Sequence, residues 1–196
     1  MHDRQAGEDA GFRPTGVLLA AGAGSRFGMP KVRADGGRWA DSAVRALRAG
    51  GCGSVLVVLG ADPSARIAGA RTVLAPDWQV GLSRSVAAGL TRADGAVVLM
   101  PVDTPDVNAE CVRRVIAAGC CASSGIARAV YRGTVGHPVY VSAEHRRPLA
   151  RALRAAGPLH ADHGLGPHLP GATVRVECGD IATGRDIDRL APGVGP

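Results

Sequence analysis

Short apolar runs, each closed by Gly, Pro or Asp, recur along the first half of the chain at residues 16–21, 55–59, 72–74 and 96–100. Runs of that length with such boundaries predict buried β-strands. Between them apolar positions return at helical spacing: 38–49, with Ala43 and Leu47 on one face, a short 63–68, and 82–92, where Leu82, Val86, Ala87 and Leu90 share a face. Strand and helix alternate regularly, which predicts βαβ units and a mainly parallel sheet.

After residue 100 the rhythm changes. Residues 108–118 read as a helix with Asn108 as N-cap. Residues 126–131 and 135–141 read as strands separated by "RGT", a hairpin-length gap. A basic helix is expected over 143–156, a loop-rich stretch over 158–171 and a last strand over 173–177. A hairpin appended to a parallel nucleotide-binding half is a common way to carry a second substrate, so this half is read as a small acceptor region. No internal repeat or linker divides the chain, and the organisation expected is a flexible leader, 1–14, followed by one domain, 15–196.

Composition sharpens this picture. The chain has 196 residues, of which 46% are hydrophobic and only 3% aromatic. That supports one core built of Val, Leu, Ile and Ala, as in a buried parallel sheet covered by alanine-rich helices. The start, "MHDRQAGEDAGFRPTG", is charged and lacks an apolar run, so no secretory signal is expected. "GVLLAAGAG" is too short and glycine-broken to span a bilayer, and a cytoplasmic protein without a membrane partner is expected. Five cysteines without a C-x-x-C pair fit neither a disulfide framework nor a zinc knuckle. The net charge of +6 is spread along the chain and few aromatics interleave it, so the expected partner is a small polyanion and not a nucleic acid.

The candidate chemistry begins with "LLAAGAGSRFGMPK", residues 18–31. A glycine-rich loop leaving a buried strand lies at the carboxyl edge of the sheet, where open α/β proteins bind ligands. Gly22, Gly24 and Gly28 keep side chains out of the path of a phosphate, so that backbone N–H groups, Arg26 and Lys31 can face one anion. Lys31 is the chain's only lysine among 23 Lys and Arg residues. The stretch fails the P-loop pattern, because its lysine follows the last glycine by three positions. It also departs from G-x-G-x-x-G, although Asp62, just beyond the second strand, stands where a ribose-binding carboxylate of a dinucleotide site would fall. In "VVLMPVDTPDV" Asp103 sits just past a buried strand beside the same sheet edge, suited to hold Mg²⁺ together with substrate phosphates. The neighbouring Asp106 is read equally as a cap for the helix that follows.

The loop resembles the signature loop of the MobA-like nucleotidyltransferases, and is most similar to their molybdenum cofactor cytidylyltransferase branch. "PDWQVGLSRSVAAGL" (76–90) is similar to the family's W-x-x-G-x-x-x-S segment, "MPVDTPDV" (100–107) to its D-x-P metal motif and "YRGTVGHPVY" (131–140) to its G-x-x-G-H-P segment. "DHGLG" (162–166) matches a late loop more loosely. The resemblance implies a three-layer, Rossmann-like α/β fold of the GT-A nucleotidyltransferase type. It places nucleotide binding at Leu19, Ala20, Ala21, Gly22, Gly24, Arg26, Lys31, Ser85 and Asp103, with Lys31, Arg26 and Asp103 as the catalytic set. It also implies a second metal carboxylate from a D-I-D-T-P segment near the C-terminus. Here "GDIATGRDIDRLAPG" offers Asp186-Ile187-Asp188, with Arg and Leu where Thr and Pro would follow, or Asp180-Ile181; the first alignment keeps both Asp residues and names Asp188.

The activity implied is Mg²⁺-dependent transfer of CMP from CTP to a molybdopterin-type acceptor with release of pyrophosphate, with a molybdoenzyme as a further partner. His137, between Gly136 and Pro138, would lie near the acceptor; as a plain turn histidine it would bond only to backbone. Two other readings share these residues: an NAD(P)H-dependent oxidoreductase of the nicotine blue oxidoreductase type, and a nucleotide-binding maturation partner without catalysis. His160, His163 and His168 form only a weak zinc pattern. Trp39 and Trp78 read as packing residues.

Overall fold

A computed structural model of the chain describes residues 13–157, 164–169 and 171–189. Residues 1–12 of the expected leader, and His160 and His163, lie outside them. Strand β1 (Thr15–Ala20) is buried along all six residues, because parallel strands pair with both its edges and helices cover both faces of the sheet. β2 (Ser54–Leu59) and β4 (Val97–Pro101) flank it in parallel, Thr15 facing Ser54 on one side and Val97 on the other. With β3 (Arg71–Leu74), β5 (Ile126–Tyr131), β6 (Thr134–Val141) and β7 (Val174–Glu177) they form one sheet in the order β3-β2-β1-β4-β6-β5-β7. Only β6 runs against the rest.

The two-residue period of the strands feeds two separate cores. Leu18, Val57 and Val98 face Leu47, Val112 and Val115 of helices α1 (Arg38–Ala49) and α3 (Ala109–Cys121). Val17, Val58 and Leu99 face Val86 and Leu90 of α2 (Leu82–Arg92) and Leu153 of α4 (Ala143–Ala155). Each of these aliphatic side chains stabilises the fold by roughly 1.5–3 kcal/mol when withdrawn from water. The result is the three-layer α/β architecture expected.

Three local expectations are corrected. Residues 63–68 form turns and not a helix. The Asp62 carboxylate accepts from Ser64 N and Oγ, and Arg66 Nη1 donates to the carbonyls of Pro63, Ser64 and Ala65, so side chains occupy groups that a helix would need. The helix cap expected as one role of Asp106 is taken by Asn108 alone, whose side chain accepts from Glu110 N and Cys111 N. The hairpin loop is two residues long, since β6 already begins at Thr134. Arg132 (φ 51°) and Gly133 (φ 89°) supply the two left-handed positions of such a turn.

Candidate active site

The carboxyl edge of β1 and β4 carries a cavity of about 600 Å³. The end of β1 contributes Leu19, Ala20 and Ala21, and the loop beyond it Gly22, Gly24 and Arg26. Gly24 sits at φ 63°, and its carbonyl accepts from both Phe27 N and Gly28 N at 2.8 Å, which closes a tight turn. A Cβ at Gly24 would lie 1.9 Å from the Met29 carbonyl oxygen, so this position needs glycine for space as well as for its backbone angle. Phe27 is buried and packs at 5.3 Å against Trp39, fixing the loop to α1. Among the described residues, the backbone N–H groups of Gly22, Ala23, Gly24, Ser25 and Arg26 make no internal hydrogen bond. Consecutive unpaired N–H groups at such an edge form an anion cradle.

The loop then delivers Lys31 at the start of a 3₁₀ turn, Lys31–Gly37. Its ammonium donates to Asp103 Oδ2 at 2.7 Å and to Asp188 Oδ1 at 2.9 Å. Burial alone would lower the pKa of Lys31, but the hydrogen bonds and charges of the two aspartates outweigh it and raise it. Asp188 is held below the usual carboxylate range, chiefly by the hydrogen bond from Lys31. Asp186, two residues earlier, lines the same cavity and is pushed up by burial and by the charges of Asp103 and Asp188. Two carboxylates therefore hold the ammonium, and a third lines the same cavity.

The segment carrying Asp186 and Asp188 has no regular structure, and side chains and backbone of the sheet edge tie it down. Asp180 pairs with both terminal nitrogens of Arg114, at 2.7 and 2.9 Å. Asn108 Nδ2 donates to Ile181 O. Asp106 Oδ2 accepts from Thr183 N at 2.5 Å, Thr183 Oγ1 at 2.6 Å and Gly184 N at 3.3 Å. Ile187 N donates to Asp103 O at 2.9 Å, which sets the flanking aspartates beside Asp103. Of the two alignments the sequence left open, the structure brings Asp188 to Asp103 and places Asp180 in the Arg114 pair.

Ser85, on α2, is buried and lines the cavity, and so does His137, on β6 of the β5–β6 hairpin. Burial, with help from the nearby Arg128 charge and against the pull of Asp103, brings His137 down to about 4. Tyr131 Oη donates to the His137 carbonyl at 2.5 Å, holding that turn. Trp78 and Gln79, from the 3₁₀ turn Trp78–Val80, also line the cavity and were not marked as site residues in the sequence. The signal was the W-x-x-G spacing, which places Trp78 beside Gly60 at the end of β2. Asp62 is outside: Arg33 Nε donates to it at 2.5 Å, holding it down at about 2, and it takes no part in lining this cavity.

Asp103 Oδ2 and Asp188 Oδ1 meet at one point, now filled by the Lys31 ammonium. Two converging carboxylates with room for waters and phosphates are the donor set that hard divalent cations prefer, so these residues fit Mg²⁺ or Mn²⁺. No group of three or more His, Cys, Asp or Glu side chains that could hold a metal ion occurs among the described residues. No helix among them is long and apolar enough to cross a membrane.

A family model described as the MobA-like NTP transferase domain matches residues 16–166. The chain is 31% identical over 197 residues to nicotine blue oxidoreductase of Paenarthrobacter nicotinovorans, across 90% of this chain and 92% of that one. Among solved structures, the homologue of Mycobacterium tuberculosis rv0371c from Mycobacterium sp. strain JC1 superposes with a TM-score of 0.72 at 29% identity, over 90% of this chain and 91% of that one. Rv0371c of M. tuberculosis H37Rv gives 0.71 at 26% identity, over 91% and 94%. A complex of Rv0371c with manganese gives 0.63 at 24% identity, over 85% and 88%.

Proposed function

The chain belongs to the MobA-like NTP transferase family, and from that premise we propose that it is a divalent-metal-dependent nucleotidyltransferase that transfers CMP from CTP to a molybdopterin-type acceptor. The observation that carries this reading is the meeting of Lys31 with Asp103 and Asp188 beneath a loop of unpaired N–H groups. A triphosphate in the cavity is cradled by the backbone of 22–26, with Arg26 and Lys31 countering its charge. Asp103 and Asp188 would hold Mg²⁺, which when bound neutralises phosphate charge. That Rv0371c, a protein of the same fold, forms a complex with manganese is consistent with use of a divalent cation.

An acceptor phosphate oxygen attacks the α-phosphorus, the bond to the bridging oxygen breaks, and pyrophosphate leaves. That nucleophile is already ionised at neutral pH, so no strong base is required. The protein contributes alignment and charge stabilisation. His137, neutral at pH 7, can orient the acceptor by hydrogen bonding. A molybdoenzyme that receives the product is the partner this reading implies.

The test is pyrophosphate release from CTP, GTP, ATP and UTP with Mg²⁺ and phosphate-bearing acceptors. Asp103→Asn should lower it by ~10²–10³-fold, the scale known for loss of one electrostatic group, with thermal unfolding unchanged. Full turnover in that variant would refute the assignment. A second reading, an NAD(P)H-dependent oxidoreductase, is favoured by the identity to nicotine blue oxidoreductase. The engagement of Asp62 by Arg33 leaves that reading without its expected ribose carboxylate. NADPH oxidation with quinone-like acceptors, without pyrophosphate release from any nucleotide, would select it. Nucleotide binding with neither activity would mark a maturation partner without catalysis.

A further inference from the structure

A second cavity, of about 210 Å³, adjoins the first, and Leu19, Leu82, Pro101 and His137 line both. The rest of its wall is apolar, built from side chains such as Val86, Leu99, Val139 and Leu165, with one exception. That exception is Arg128 of β5, which lines this otherwise apolar space.

Nothing within the described residues neutralises Arg128. Its Nη2 makes one long bond, 3.4 Å, to the Gly136 carbonyl, and its Nε is buried without a hydrogen-bond partner. Its register neighbour on β7 is Arg175, a like charge. Burial first, and Arg175 second, lower the pKa of Arg128. A buried donor left unpaired costs about 1–3 kcal/mol, and a cation against apolar walls costs more unless it finds a counter-charge. Among the described residues Arg128 is thus a forked donor without a counter-charge in the wall of a cavity beside the nucleotide site. A guanidinium is shaped to take two oxygens of a phosphate or carboxylate at once. His137, in the wall common to both cavities, adds no competing positive charge at neutral pH.

We propose that this second cavity is the acceptor subsite, that it takes the phosphate-bearing end of a phosphate monoester, and that Arg128 is the residue that anchors the phosphate. The assignment as an acceptor subsite rests on the transfer reading; the anion site itself does not. The guanidinium selects the charge of the ligand, and the apolar walls keep water from the pair. The transfer reading requires a phosphate nucleophile, which is why a phosphate monoester is named over a carboxylate.

The probe is phenyl phosphate, one ring and one phosphate, titrated calorimetrically into the full chain with and without CTP and Mg²⁺. Phenyl phosphate is expected to bind in both conditions, phenol is expected not to, and Arg128→Met is expected to weaken binding by at least ~10-fold, the loss of one charge-assisted pair. Should Arg128→Met not fold, as judged by circular dichroism, Arg128→Lys is read in its place; it keeps the charge without the fork, and weaker binding is expected. Wild-type affinity in the folded variant, no binding to the wild type, or displacement of phenyl phosphate by CTP overturns the subsite. Arg128-dependent binding in a protein that releases pyrophosphate from no nucleotide would sink the transfer reading and leave the anion site standing. Undiminished pyrophosphate release in Arg128→Met with a phosphate monoester acceptor would sink the acceptor subsite and leave the transfer reading.

Discussion

Lys31→Met separates the two partners that meet in the cavity. The variant keeps a similar apolar stem and removes the ammonium that lies 2.7 Å from Asp103 and 2.9 Å from Asp188. Because both oxygens touch one nitrogen, they are less than about 6 Å apart, and without the ammonium their charges repel by about 1–3 kcal/mol between the limits of bulk water and a protein surface. Asp188 is 61% exposed, which places the value toward the lower end. A divalent cation relieves that repulsion, and in the variant it no longer competes with an ammonium for the same two oxygens. Each 1.4 kcal/mol is a factor of ten in affinity. In the absence of nucleotide, Mn²⁺ followed by electron paramagnetic resonance should therefore bind Lys31→Met at least ~5-fold more tightly than the wild type. CTP should bind more weakly, since its phosphates lose a cation. Equal or weaker Mn²⁺ binding in a folded variant would show that the two carboxylates do not form the cation site, and the reasoning from their convergence would fail.

Asp106→Ala should release the segment 183–188. The lost hydrogen bonds to a charged acceptor are worth ~1.5 kcal/mol or more, so hydrogen exchange there should rise about tenfold and pyrophosphate release should fall with it, while protection of the β1 amides stays as in the wild type. His137→Gln should flatten the pH dependence of stability. The folded value of about 4 lies below the ordinary 6.5, so the unfolded chain binds the extra proton in between, and stability is fully present above 6.5 and lost as pH falls toward 4; urea midpoints at pH 7 and pH 5 should differ less in the variant, and an unchanged difference would refute the assignment. Gly24→Ala should abolish CTP binding measured by calorimetry, because its Cβ would sit 1.9 Å from the Met29 carbonyl oxygen and the left-handed backbone adds about 1–2 kcal/mol of strain.

The sheet was legible because its strands are nearly continuous apolar runs, and the fully buried β1, β2 and β4 left little room for another reading. Residues 63–68 were misread because helical spacing over six residues competes poorly with local side-chain bonding, here from Asp62 and Arg66. Asp106 shows a second limit. Its sequence neighbourhood points to a helix cap two residues on, whereas its partners, Thr183 and Gly184, are 77 and 78 positions away. Nothing in a local pattern reports such a pair, and Asp186 was underweighted for the same reason. Only the extended backbone pinned by Ile187 N to Asp103 O sets Asp186 and Asp188 beside Asp103.

The same geometry gives a physical reason for a lone lysine in a chain rich in arginine. The Lys31 nitrogen must reach Asp103, just past β4, and Asp188, on a segment 85 residues further along, from directions set by separate anchors. A guanidinium presents its donors in one plane and favours a single forked partner. An ammonium presents three donors in a tripod. Two are used here. The remaining N–H has no partner among the described residues, so a single small cation holds the two carboxylates in place until a divalent cation takes their oxygens. That combination of point charge and tripod is what arginine lacks at this position, and it ties the identity of residue 31 to the convergence of Asp103 and Asp188 more directly than the length of its side chain does.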